Sequence, residues 1–248
     1  MSMPDELHRK DPTVESHASG PQNAAPLGGH PLECSPQHGL REGASGLGPT
    51  PRDTRPDRAT RFVETTLGTL SYTELAPLLG ERVVRLEEAV QEGVFHSHPL
   101  DENLLLHFHR SICGDLTPDW PGKWRDVEVT VGALTPPPPH SLPVLMRDYG
   151  LDLQARWSAA SGEDIDLTLE FLAFAEGRFL TIHPFRDFNG RTIRVLLAEL
   201  LRRLDFPLVN LAPEEQDARA RYFSALESAD RMDWQPLIEI WKTRLSSE

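Results

Sequence analysis

The segment His183-Pro184-Phe185-Arg186-Asp187-Phe188-Asn189-Gly190-Arg191-Thr192-Ile193-Arg194 places a histidine, an aspartate, a glycine-containing turn and the arginines Arg191 and Arg194 within twelve consecutive residues. Overlapping its end, Ile193, Leu196, Leu197, Leu200, Leu201 and Leu204 recur at the spacing of one buried helical face. The polar cluster therefore sits where a loop becomes a helix. At such a junction the first backbone N–H groups have no partner within the helix and the dipole is positive, which favours an anion. Arg191 and Arg194 are three residues apart, so they share a helix face and can grip separate phosphate oxygens. Asp187 offers a hard carboxylate oxygen of the kind Mg²⁺ takes alongside phosphate. His183 can accept a proton near neutral pH. Together these parts predict a nucleotide-phosphate site with a general base beside it.

The flanking sequence anchors this loop at both ends. Residues 164–180 predict a helix that is apolar on nearly every side, with Leu169, Phe171, Leu172, Phe174, Phe179 and Leu180, and such a helix belongs at the centre of a bundle. It runs directly into His183. Further helices are expected over 72–94, 100–112, 141–154, 214–229 and 234–245, with a short one over 59–67. From Gly122 to Gly132 the pattern changes, and Val127, Val129 and Val131 alternate with Glu128 and Thr130 at the period of a strand. The fold class is therefore mainly α, with one small β-hairpin at that place. His107 and His109 are two residues apart and fall on different helix faces, so a core or surface role is expected rather than a metal pair.

Bulk properties narrow the function classes. A chain of 248 residues holds one ordinary domain with extensions. Residues 1–58 contain nine prolines and seven glycines, and no aromatic residue precedes Phe62, so a disordered tail is expected there. Residues 59–98 then form an N-terminal helical region and 99–246 the main domain. The net charge of −13 argues against a nucleic-acid binder. The two cysteines, Cys34 and Cys113, form no paired-ligand spacing, which fits a reducing compartment without structural zinc. No apolar run approaches the ~20 residues of a membrane span and none resembles a leader, so a cytoplasmic setting is expected.

The 183–194 segment resembles the motif of the Fic (Fido) family, His-Pro-Phe-x-Asp/Glu-Gly-Asn-Gly-Arg-x-x-Arg. It departs at one position, Phe188, where the family usually has Gly or Ala. The resemblance covers roughly residues 60–246 and implies a Fic-type helical bundle. It also implies an activity, transfer of AMP from Mg·ATP to a Tyr, Thr or Ser hydroxyl of a target protein. In that reading His183 is the base, Asp187 the Mg²⁺ ligand, and Phe188, Asn189, Gly190, Arg191 and Arg194 the phosphate cradle. Gly190 stands where phosphorylating Doc-type relatives carry Lys, which favours nucleotidyl transfer. Gly122 to Arg125 and the Pro136–Pro139 run resemble the borders of the family's flap. An extended segment of the protein substrate would pair with its edge over 122–132. Tyr222 falls in the region that borders the nucleotide base in relatives.

Two alternatives stay open on the sequence. Phe188 is compatible with a non-catalytic relative that binds a nucleotide or a partner, and the same residues could also serve removal of AMP. The oligomeric state is open as well. Many Fic proteins carry an inhibitory Ser/Thr-x-x-x-Glu-Gly/Asn motif on a helix. Thr60-Arg61-Phe62-Val63-Glu64-Thr65 matches its Ser/Thr and Glu positions and departs at Thr65. The resemblance implies that Glu64 pairs with Arg194 and restrains the enzyme.

Overall fold

The computed structural model describes residues 62–160, 164–213 and 215–246. The tail expected over 1–58, and Thr60 of the Thr60–Glu64 pattern, lie outside the described residues. In chain order the described elements begin with β1 (Phe62–Thr65), β2 (Gly68–Ser71), α1 (Tyr72–Gln91) and α2 (Glu102–Cys113). After a short 3₁₀ turn (Pro139–Ser141) come α3 (Leu142–Ala160), α4 (Ile165–Ile182), α5 (Asn189–Arg203), α6 (Gln216–Ala229) and α7 (Gln235–Ser246). Helix starts follow local chemistry. Ser71 and Glu74 form a capping box on α1, Asp101 caps α2, and Asp164 caps α4, each side chain accepting from orphan N–H groups.

Helix α4 lies at the centre, as its all-round apolar pattern predicts, and packs on α3, α5, α6 and α7. Leu172, Ala173, Ala175 and Phe179 on it are fully buried. At Gly177 a Cβ would come within 2.7 Å of Trp234 and 2.9 Å of Ala229, so the absent side chain lets α4 and the α6–α7 pair approach closely. Helix α5 buries Ile193, Leu196, Leu197, Leu200 and Leu201 against α1, α2 and α4. The loop 183–188 is thus suspended between two buried helices. Among the described residues no helix is long and apolar enough to cross a membrane.

The small hairpin is not where the alternating valines predict it. Around Val127–Val131 the chain makes a single bridge, Val131 to Leu134, about Gly132 in the left-handed region. The physical reason lies in the return arm, where Pro136 to Pro139 follow Leu134 and Thr135. Prolines have no N–H to donate, so the ladder stops after one rung. Instead, residues 62–71 form the two-stranded antiparallel sheet, and they replace the helix expected over 59–67. Thr65 pairs with Gly68 across the two-residue loop Thr66–Leu67. Gly68 takes φ 101, which a side chain would strain, and Val63 and the threonines suit the strand backbone. Four-residue strands are too short for an alternation signal to stand out.

Candidate functional site: the α4–α5 loop

The loop begins and ends in left-handed backbone. His183 closes α4 at φ 49, ψ 60, with its N–H donating to the Phe179 carbonyl at 2.9 Å. Phe188 precedes α5 at φ 60, ψ 17. For residues with a Cβ this conformation costs about 1–2 kcal/mol each, so surrounding contacts must hold it. The main clasp is Asn189. Its side-chain nitrogen donates to the Phe185 carbonyl and its oxygen accepts from the Phe185 N–H, both at 2.9 Å. The Phe185 ring stacks on His109 of α2 with centroids 3.8 Å apart and planes 4° from parallel. The His109 Nδ1 accepts from the Gly122 N–H at 2.9 Å, and the ring also bonds to the Asp187 backbone. Burial pushes the His109 pKa down to about 4, so the ring is neutral.

Phe188 is buried, with its ring centroid 5.5 Å from that of Trp120 and 5.7 Å from the Arg191 guanidinium. The ring thus points into apolar surroundings. Only its backbone serves the start of α5, where its carbonyl accepts from the N–H groups of Arg191 and Thr192 and from the Thr192 hydroxyl.

The charged groups meet at the start of α5. The Arg194 Nε donates to the Gly190 carbonyl at 3.0 Å. Burial, and then the charge of Arg194, depress the Arg191 pKa, while Asp187 opposes them. Among the described residues neither arginine has a carboxylate within ion-pair distance. These two neighbouring cations, without a close ion pair among the described residues, stand beside the N–H groups that open α5, at Asn189 and Gly190, which have no carbonyl one turn earlier. A Cβ at Gly190 would meet nothing within 4 Å, so this face is open to an incoming anion. The Asn189 side chain, expected in the phosphate cradle, is committed to Phe185, which leaves its backbone N–H for that task.

The Asp187 Oδ1 accepts from the Phe188 N–H at 2.7 Å, and Oδ2 accepts from the Tyr72 hydroxyl at the start of α1. Burial pushes the carboxyl up to about 6, against the Phe188 hydrogen bond and the Arg191 charge. Each carboxylate oxygen retains a lone pair. Among the described residues no three His, Cys, Asp or Glu side chains gather to hold a metal. A single hard carboxylate beside a polyphosphate site is nonetheless a donor set that Mg²⁺ uses, since that ion keeps water and phosphate ligands.

The His183 Nδ1 lies 3.3 Å from the Leu180 carbonyl. A carbonyl can only accept, so this contact assigns the proton to Nδ1 and leaves Nε2 with its lone pair. Burial pushes the His183 pKa down to about 4; the Leu180 bond raises it and the Arg125 charge lowers it.

Glu64 is exposed on β1 rather than on a helix, and its Oε1 accepts from the Thr69 hydroxyl at 2.9 Å. The carboxyl on which the Arg194 charge acts is Glu87 of α1, raised by burial and lowered by that arginine. Tyr222 donates to Glu176 at 2.7 Å and lines a cleft of about 650 Å³ between α6 and α7. Three residues of the site carried no sequence signal for their roles: Tyr72, which reads as an ordinary helix-start aromatic, His109, and Arg125. The guanidinium of Arg125 is buried beneath the loop, whereas arginines are normally exposed.

Two outcomes follow from this geometry. In histidine ring-proton NMR, with His183→Ala for assignment, His183 should remain neutral down to about pH 5. Protonation near the ordinary 6.5 would contradict its burial. Phe188→Gly should relieve left-handed strain but lose a buried ring, for a net loss of about 2 kcal/mol in chemical denaturation.

The Fic/DOC family model matches residues 99–201. "Protein adenylyltransferase Fic" of Drosophila persimilis is 33% identical over 134 residues, which cover 54% of this chain and 25% of the relative. The Drosophila willistoni protein of the same name is 34% identical over the same coverage. The match thus spans about a quarter of the length of these curated relatives. Among solved structures, the Bartonella tribocorum effector BepC with bound AMPPNP aligns with a TM-score of 0.59 at 17% identity, over 75% of this chain and 93% of that one. Fic-1 of C. elegans aligns at 0.53 and 23% identity, over 68% of this chain and 48% of its own. These structures share the fold. The matched segment runs from just before α2 to near the end of α5 and holds the whole loop, and over that segment the chain matches the Fic/DOC family.

Proposed function

We propose that this protein transfers AMP from Mg·ATP to a hydroxyl side chain of a protein. The observation that carries the reading is the junction itself: two arginines with no close ion-pair partner among the described residues, the opening N–H groups of α5, and a neutral histidine whose Nε2 is unprotonated. The adenylyltransferase relatives, and the structural neighbours solved with AMPPNP and with ADP, support a nucleotide as the ligand.

In this reading the acceptor hydroxyl attacks the α-phosphorus. The bond to the bridging oxygen of the β-phosphate breaks, and pyrophosphate leaves with the electron pair. The His183 Nε2 takes the hydroxyl proton, a role worth about 10²–10⁴-fold. A base with a pKa of about 4 is weak in the free protein. A polyphosphate seated beside it favours the imidazolium and raises that value. Arg191, Arg194 and the N–H groups of Asn189 and Gly190 hold the phosphates and meet the charge that develops on the leaving group. Asp187 would hold Mg²⁺, which when bound neutralises phosphate charge. The exposed stretch from Val127 to Val131 offers an extended edge for the acceptor segment.

Incubation of the protein with ATP labelled on the α- or the γ-phosphate, in a lysate of its own cell, separates the alternatives. Protein label from the α-position alone is expected. Label from the γ-position means phosphoryl transfer, and none from either means a binding module. His183→Ala should keep nucleotide binding and lose at least about 100-fold in labelling.

Restraint by an acid of the N-terminal segment is part of the proposal. Glu64 matches the motif position, but Glu87 is the acid whose charge bears on Arg194. A carboxylate near Arg194 competes with phosphate for its guanidinium. Glu87→Gln should therefore raise α-label transfer more than Glu64→Gly does. The opposite order would return the role to Glu64, and no rise in either variant would remove restraint by these acids.

A further inference from the structure

Arg125 is only 3% exposed, and among the described residues no carboxylate lies within ion-pair distance of it. A buried guanidinium is costly unless its donors are matched. Here main-chain carbonyls from two separate segments match them. The Nε donates to the carbonyl of His183 itself at 2.8 Å, and one terminal nitrogen lies 3.5 Å from the Ile182 carbonyl. The terminal nitrogens also donate to Val127 at 3.0 Å and to Pro137 at 2.5 Å, on the two arms of the loop that carries the exposed valines. The Arg125 backbone N–H donates to the Pro184 carbonyl at 2.9 Å.

We propose that Arg125 is a positioning residue that locks the base and the acceptor-binding loop into one register. Its planar fork grips the peptide plane of His183, whose left-handed conformation needs outside support, and holds both arms of the 127–137 loop by the same group. An acceptor segment laid along that loop then meets Nε2 at a set distance. The inference rests on the reading of His183 as the base. It makes no use of α5, so nucleotide affinity should not depend on it.

The test compares Arg125→Lys and Arg125→Gln with the wild type. Lysine keeps the charge but has a single ammonium that cannot span the four carbonyls. Glutamine keeps a short planar donor without charge. Each variant is first checked for a cooperative thermal transition. AMPPNP affinity is then measured by calorimetry, backbone hydrogen exchange by mass spectrometry, and transfer from α-labelled ATP as kcat and KM.

The expected result is exchange that quickens together over 127–137 and 183–187, AMPPNP affinity within about 2-fold of wild type, and kcat about 100-fold lower at an unchanged KM for ATP. Full transfer in a folded variant would overturn the proposal. So would quickened exchange in one segment alone, or an equal loss of AMPPNP binding, because the role would then be general support of the fold. Failure of both variants to fold would overturn it on the same ground. A wild type that transfers no label removes the enzymatic reading and with it this role, while the exchange pattern still reports whether Arg125 joins the two segments.

Discussion

The site depends on the closed clasp between the Asn189 side-chain amide and the two backbone polar groups of Phe185. It shuts the loop into a ring of fixed size between α4 and α5. That closure supports Phe188 in left-handed backbone, while Arg125 holds the carbonyl of His183, the other left-handed residue. A non-glycine residue there is about 1–2 kcal/mol uphill, and two buried hydrogen bonds with the stacked Phe185–His109 pair are of the scale needed to offset it. Phe188 belongs to the same balance. At a position where glycine would be free of strain, this chain recovers the cost by burying an aromatic ring against Trp120, while the carbonyl of the same residue still starts α5.

Rigidity at the loop has an electrostatic purpose. Arg191 and Arg194 lie next to the open N–H end of the helix, and among the described residues neither has a carboxylate within ion-pair distance, while Asp187 and Glu87 act on them from farther away. An anion seated there would meet both guanidinium charges. Burial, and after it the charge of Arg194, depress the Arg191 pKa. Asp187 feels the opposite pull, since burial raises it to about 6 while Arg191 and the Phe188 N–H lower it. A polyphosphate with a divalent cation would relieve both sides at once, which is why the two arginines and the acid are best read as one site.

Much of this was legible in the sequence. The 3.6-residue spacing of leucines after Arg191 located α5, and the all-round apolar run before His183 located α4 at the core. Both patterns report burial directly, and burial decides where a helix sits. The strand pattern at Val127–Val131 reported something weaker. Alternation tells which faces differ, not whether a neighbouring segment has N–H groups to pair, and the prolines from 136 to 139 withhold them. The hairpin at 62–71 and the place of Glu64 on it were missed because four residues carry almost no periodic signal. Asn189, Tyr72 and Arg125 illustrate a further limit. Each does its work through contacts with residues from another part of the loop or the chain, and an arginine that will be buried looks in sequence like one that will be solvated.

Docking of a nucleotide's phosphates at the start of α5 underlies every proposed role at this site, and amide chemical shifts of the ¹⁵N-labelled protein test it most directly. On addition of Mg·AMPPNP, the largest shifts should fall on the Asn189 and Gly190 N–H groups, and Arg194→Ala should weaken binding by about tenfold or more, as loss of a charge-assisted bond does. Shifts confined to the α6–α7 cleft around Tyr222, with Asn189 and Gly190 unmoved at saturation, would contradict it.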